Sequence, residues 1–100
     1  MASIEVEIVP WLTDLLDQPR SGRIKWREEI DQAEPVRSFL IRMHQSYPQL
    51  AATMYSIEET RLTGRVNIIL NDRALELIGG IDAPLQDGDR LILVPAYTGG

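Results

Sequence analysis

Two stretches at opposite ends of the chain restrict its fold more than anything between them. Ile4-Glu5-Val6-Glu7-Ile8 alternates apolar and acidic residues, which puts Ile4, Val6 and Ile8 on one face and Glu5 and Glu7 on the other. A half-buried strand has that period of two. Leu91-Ile92-Leu93-Val94 is a short apolar run stopped by Pro95, and it reads as a second strong strand. Between them lies one clear helical period. Val36, Phe39, Leu40, Met43 and Tyr47 fall at steps of three and four, with Arg37, Ser38, Arg42 and Gln45 in the gaps. Setting the two strands side by side in parallel at the centre of a sheet, with this helix inside the crossover, buries the most apolar surface. The preference for right-handed crossovers then leaves few topologies.

The rest of the chain fills in around that frame. Pro10 closes the first strand, and Trp11-Leu12-Thr13-Asp14-Leu15-Leu16 reads as a loop or one helical turn with Leu12, Leu15 and Leu16 on the sheet. Pro19, Ser21 and Gly22 supply turn chemistry. Arg23-Ile24-Lys25-Trp26-Arg27-Glu28 alternates again and reads as a strand hairpinned to the first, although Trp26 and Ile30 also stand four apart, as on a helix face. Asp31-Gln32-Ala33-Glu34-Pro35 fits a helix entry, with an acidic residue before a proline at the first helical position. Pro48 is expected to end the helix, with His44 at the edge of its apolar stripe as a boundary side chain. Thr53-Met54-Tyr55-Ser56-Ile57 reads as a short edge strand and residues 58–64 as a polar loop. Arg65-Val66-Asn67-Ile68-Ile69-Leu70 alternates, Asn71-Asp72 is a turn, and Arg73-Ala74-Leu75-Glu76-Leu77 returns briefly. Gly79-Gly80 breaks the chain, and Asp87-Gly88-Asp89 turns it into the last strand. The expected fold is an α+β roll of the β-grasp type. It has a mixed sheet of four or five strands and one main helix across one face, in a single domain over residues 1–95 with a flexible tail over 96–100.

Composition removes several classes of function. One hundred residues with 44% hydrophobic and 25% charged suit one globular domain. With no cysteine, the chain holds no disulfide, thiolate metal site or cysteine nucleophile. A single histidine cannot build a multi-histidine metal site or an internal triad. The formal net charge of −5 opposes a role on nucleic-acid phosphates and suits a basic protein partner. No apolar run approaches a membrane span. The start, Met1-Ala2-Ser3-Ile4-Glu5, lacks the basic-then-apolar order of a signal peptide. A cytoplasmic protein is expected.

The last residues, Pro95-Ala96-Tyr97-Thr98-Gly99-Gly100, add little to a core, because glycine loses the most backbone freedom on ordering and packs no side chain. A thin, unhindered Gly-Gly end suits a terminus that itself reacts. Val66-Asn67-Ile68-Ile69-Leu70-Asn71, Gly79-Gly80-Ile81, Leu85-Gln86-Asp87-Gly88-Asp89, Leu93-Val94-Pro95 and Gly99-Gly100 occur in an order that resembles the MoaD/ThiS family of ubiquitin-like sulfur carriers. The helix from Val36 to Tyr47-Pro48 is similar to that family's as well. Two stretches depart from the family's molybdopterin branch. Pro10-Trp11-Leu12-Thr13-Asp14 stands where that branch has Leu-Arg, and Pro95-Ala96 stands where it has Pro-Pro. The Pro-Ala form and the Gly-Gly-Ile-Asp stretch look more like carriers serving cysteine biosynthesis or archaeal ubiquitin-like modifiers.

The resemblance implies that an adenylating enzyme of the ubiquitin-activating type uses MgATP to join AMP to the Gly100 carboxylate. A sulfur donor then displaces AMP and leaves a thiocarboxylate, which passes sulfur to an accepting synthase of the molybdopterin, cysteine or thiamine type. Gly99 and Gly100 thread a narrow channel where a Cβ would collide, and Pro95 aims the tail outward. Tyr97 either packs back on the body or anchors an interface. The chain itself is expected to supply no catalytic residue, no metal ligand and no bound cofactor. With Leu91 and Leu93 facing the helix, Ile92, Val94 and Ile69 share the outer face. There, with Pro95, they form a candidate docking patch rimmed by Glu5, Glu7 and Arg90. Two other readings stay open: a protein modifier joined through Gly100 to target lysines, and a β-grasp interaction domain with an inert tail.

Overall fold

The computed structural model describes residues 2–9 and 24–96. The expected turns over residues 10–23 and the tail residues Tyr97, Thr98, Gly99 and Gly100 lie outside the described residues. Two seven-residue strands open the fold, β1 (Ala2–Ile8) and β2 (Ile24–Ile30). They are followed by helices α1 (Val36–Ser46) and α2 (Pro48–Met54). The short strands β3 (Tyr55–Ser56) and β4 (Arg61–Leu62) come next, then β5 (Val66–Leu70), β6 (Arg73–Ala74) and β7 (Arg90–Pro95). Two single-turn 3-10 segments, Leu75–Leu77 and Gly80–Asp82, lie between β6 and β7. The main sheet has five strands in the order β2-β1-β7-β5-β6, while β3 and β4 pair separately.

The first and last strands lie side by side in parallel at the centre, with Val6 opposite Leu91 and Ile8 opposite Leu93. The other pairings in the five-stranded sheet are antiparallel. This is the β-grasp arrangement expected from the alternation. Residues paired across neighbouring strands share a face, so the register fixes an inner layer of Ile4, Val6, Ile8, Leu91, Leu93, Ile68 and Leu70. Val36, Phe39, Leu40 and Met43 of α1 pack into the same core. Trp26 lies on this face but is only half buried, because β2 is the edge strand. Its Nε1 donates to Glu28 Oε1 at 2.7 Å, and its ring meets that of Tyr47 at 5.3 Å. Burial, and after it the neighbouring Glu28 carboxylate, push the Tyr47 phenol above its usual pKa.

Several elements differ from the sequence reading. The expected polar loop at residues 58–64 contains β4, paired with β3, and Pro35, expected at the first helical position, is instead the extended cap of α1, which begins at Val36. Pro48 ends α1 but also begins a second helix. A proline disfavours helical backbone in the residue before it, and Tyr47 leaves the helical region at φ −137°, ψ 68°. Proline itself fits a first helical position, where no N–H partner is required, and α2 then buries Leu50, Ala51 and Met54. The expected edge strand at residues 53–57 accordingly shrinks to Tyr55 and Ser56.

His44, read as a boundary residue, is half buried. Its Nδ1 lies 2.9 Å from the Leu40 carbonyl and its Nε2 3.1 Å from that of Tyr55, so the ring joins the end of α1 to β3. Glu34 is buried just before α1. Its carboxylate accepts the Asp31 N–H at 3.0 Å and pairs with Arg42 Nη1. Arg42 also stands over the Phe39 ring, 5.7 Å from its centroid. Among the described residues, no helix is long and apolar enough to cross a membrane.

Candidate functional site

The candidate site is the outer face of the sheet beside the end of β7. Alternation leaves every second residue of a central strand on the side away from the helices. Ile92 of β7 lies opposite Ile69 of β5 on one side and Glu7 of β1 on the other, while Val94 lies opposite Asn67. Ile69, Ile92 and Val94 are half buried and contiguous. The structure therefore brings together the three apolar side chains that alternation assigned to this face. Pro95 does not join them. It pairs with Val66, whose side chain belongs to the core, so Pro95 sits at the margin on the opposite face. A groove of about 330 Å³ runs beside the patch, lined by Ile69, Val94, Asn67, Ala74, Leu62 and Glu76 among others.

Charges of both signs border the apolar residues. Glu5 lies opposite Arg90. The Lys25 ammonium stands 4.0 Å from Glu5 and 3.9 Å from Glu7, and the Arg90 guanidinium 3.0 Å from Asp72. Glu7 is only 8% exposed although it lies on the outer face, which makes it part of the patch wall rather than a solvated rim residue.

A set of turn residues fixes the start of β7 and thus the register of the patch. Asn71 and Asp72 both have positive φ, 51° and 69°, as a two-residue hairpin turn of type I′ requires. Asn71 Nδ2 donates to Asp89 Oδ1 at 2.9 Å, and its Oδ1 accepts the Arg90 N–H at 2.9 Å. The second Asp89 oxygen accepts the Gln86 N–H at 2.8 Å. Asp87 accepts the Ser3 N–H at 2.9 Å, and Gly88, at φ 89°, donates its own N–H to the Ser3 carbonyl at 2.9 Å. The Asp-Gly-Asp turn thus ties β1, β5 and β7 together at the end of the sheet remote from the tail. Sequence reading found a turn here. The partnership between Asn71 and Asp89 spans a sequence separation of 18 and has no local signal.

At the other end, the ladder runs one residue past the strand. The Ala96 N–H donates to the Arg65 carbonyl at 2.9 Å, so Ala96 is still tied to the residue that precedes β5. Pro95 lacks an N–H, but this does not interrupt β5. Asn71 donates to the Arg90 carbonyl, which places the backbone groups of alternate residues 90, 92, 94 and 96 on the β5 side. Pro95 turns its missing donor to the β1 side, where β1 has already ended at Ile8. Among the described residues, no three His, Cys, Asp or Glu side chains are grouped so as to hold a metal ion.

The ThiS family model matches residues 15–100. No curated protein sequence matches the chain. Among solved structures, SAMP1 from Haloferax volcanii is 20% identical with a TM-score of 0.73, covering 99% of this chain and 100% of its own. A match in the crystal structure of the Amycolatopsis orientalis BexX/CysO complex is 24% identical with a TM-score of 0.70, covering 97% and 99%. A putative molybdopterin converting factor, subunit 1, from Pyrococcus furiosus is 17% identical with a TM-score of 0.69, covering 97% and 100%. At these identities the structures establish a common fold.

Proposed function

Because the chain belongs to the ThiS family, we propose that it is a sulfur carrier whose reactive atoms are those of the Gly100 carboxylate. A carboxylate is anionic, a weak electrophile, and has no good leaving group. In this reading an adenylating partner of the ubiquitin-activating type spends MgATP to form an acyl-adenylate at Gly100 and release pyrophosphate. A sulfur nucleophile from a donor then displaces AMP. The thiocarboxylate so formed is the form that delivers sulfur to an accepting synthase. The chain acts as a cosubstrate, and the groups that catalyse each step belong to its partners. The BexX/CysO complex of A. orientalis, a match to this chain caught with another protein, supports the expectation of a protein partner. Activation of this kind belongs in the cytoplasm, where ATP is supplied.

The observation that carries the reading is the coupling of chain end to docking face. Ile92 and Val94 lie on the outer face of the strand that Pro95 ends, so a partner covering the patch stands beside the end of that strand. In this reading the domain over residues 1–95 holds the reactive end, and the residues that follow it present Gly100 to the partner. The test is the intact mass of the chain after incubation with the adenylating enzyme of its own host, ATP and a sulfur donor. A gain equal to the exchange of one oxygen for sulfur at the C-terminus is expected. Adducts on lysines of other proteins would instead favour the modifier, the role that SAMP1's full name, small archaeal modifier protein, gives to that relative. An unchanged mass overturns both.

The patch makes its own prediction. Ile92→Asp puts a charge where the partner is expected to exclude water, and should weaken binding to the adenylating enzyme by about tenfold or more. The domain should stay folded, because Ile92 lies outside the core. Binding is read by titration calorimetry and folding by circular dichroism. Unfolding of the variant would show that the outer face is core, and unchanged affinity would remove the patch from the docking surface.

A further inference from the structure

The edge strand β2 has an order of charges and a set of backbone groups that complement a second copy of itself. The direction of its backbone groups follows from β1. Glu5 donates its N–H to the Asp89 carbonyl, and the Ser3 carbonyl accepts from Gly88. Ser3 and Glu5 therefore turn their backbone toward β7. The alternate residues Ile4 and Val6 turn theirs toward β2, where they meet Glu28 and Trp26. It follows that Lys25, Arg27 and Glu29 direct their N–H and C=O groups to the far edge. Among the described residues, β2 has a strand neighbour on one side only. On the far side, Arg42 Nη2 donates to the Glu29 carbonyl at 2.9 Å. An edge of this length is a template for pairing with another strand.

We infer that this edge pairs antiparallel with β2 of a second copy of the chain, with the two-fold axis at Arg27. All seven residues of β2 then overlap, and the Glu29 carbonyl, already held by Arg42, accepts the Lys25 N–H of the other copy on its second lone pair. Lys25 faces Glu29 of the other copy twice, Trp26 faces Glu28 twice, and Ile24 faces Ile30 twice. The Arg27 side chains meet at the axis, but each already lies opposite Glu5 of its own β1 and donates to Ser3 Oγ at 3.0 Å. A shift of one residue is excluded, because it sets backbone groups against strands that point theirs away. Centring on Trp26 sets Lys25 against Arg27 twice. Centring on Glu28 sets the two Glu28 carboxylates together and shortens the overlap. The strand balances Lys25 and Arg27 against Glu28 and Glu29, so its edge is neutral although the chain carries −5. Charged residues on an edge usually discourage pairing. Here the mirrored order of their signs favours one register with one partner.

The resulting assembly joins two five-stranded sheets into one. Since β1 separates β2 from β7, the apolar patch and the end of β7 stay clear of the contact, and pairing neither requires nor prevents sulfur loading.

The chain has no cysteine, so single introduced thiols report the contact directly. Residues facing each other across such an axis stand about 5.5 Å apart between Cα atoms, within disulfide range. Under mild oxidation Arg27→Cys should cross-link to a dimer and Glu29→Cys alone should not. A mixture of Lys25→Cys with Glu29→Cys should form the mixed dimer. Sedimentation equilibrium of the unaltered chain should show reversible dimerisation. Lys25→Glu should raise the dissociation constant about tenfold, and Lys25→Glu with Glu29→Lys should restore it. A chain that stays monomeric up to millimolar concentration overturns the inference. So does equal cross-linking of Arg27→Cys and Glu29→Cys, whatever the result of the sulfur-loading assay.

Discussion

Removing Gly99 and Gly100 should leave the fold unchanged and abolish the proposed sulfur loading completely. Among the described residues, Leu93 is the last that is fully buried, and the last backbone contact is Ala96 to Arg65. A shortened chain therefore keeps its whole sheet, its turn network and its apolar patch. It should show the same circular dichroism and urea midpoint as the full chain, and it should still bind the adenylating partner through the patch. What it loses is the thin approach to the partner's active site. On the proposed mechanism a carboxylate on Thr98 would carry a branched side chain into a channel suited to glycine and would stop short of the nucleotide. Intact-mass measurement after incubation with enzyme, ATP and sulfur donor reads the outcome. A sulfur-bearing product from the shortened chain would move the chemistry off Gly100.

Leu93→Ala has the largest expected effect on stability. Leu93 is fully buried on the central strand, opposite Ile8 in β1 and Ile68 in β5, on the face covered by α1. Truncation loses the transfer free energy of the removed carbons and leaves a cavity that rigid neighbours on both sides cannot close. Such changes cost about 2–5 kcal/mol, a large share of the roughly 5–15 kcal/mol that holds a domain of this size. Ile92→Ala, one residue away on the half-buried outer face, should cost clearly less. Urea unfolding measures both as a shift in midpoint at constant slope. Equal losses at the two positions would mean that the face assignment of β7 is wrong, and with it the docking patch.

That pair of residues also shows what could be read in advance. Alternation of period two put Leu91 and Leu93 inside and Ile92 and Val94 outside, and the register places them so. The helical period likewise selected Val36, Phe39, Leu40 and Met43, all buried on α1. These are local patterns, set by strand and helix geometry and by the need to bury one face. Pro48 was legible as the end of a helix but not as the start of α2, since proline suits both positions. Pro95 was legible as a boundary, yet which face it takes depends on its pairing with Val66. Glu28, on the inward side of an edge strand, breaks the alternation. It is accommodated because Trp26 Nε1 and the Tyr47 phenol hydrogen-bond to it.

The sequence by itself determined the first and last strands and the main helix, the faces they bury, the parallel pairing of those two strands, and the family to which the chain belongs. Each depends on periodicity or on motif order, both written locally along the chain. Only the tertiary structure decided how Asn71 meets Asp89, how Asp87 holds Ser3, and how Arg42 joins Glu34 while covering part of the β2 edge. It also decided which backbone groups of β2 face outward. Those partnerships join residues remote in sequence, and polar side chains carry no periodic mark of their partners. They become determinate only after burial of the apolar faces has fixed the register of the sheet.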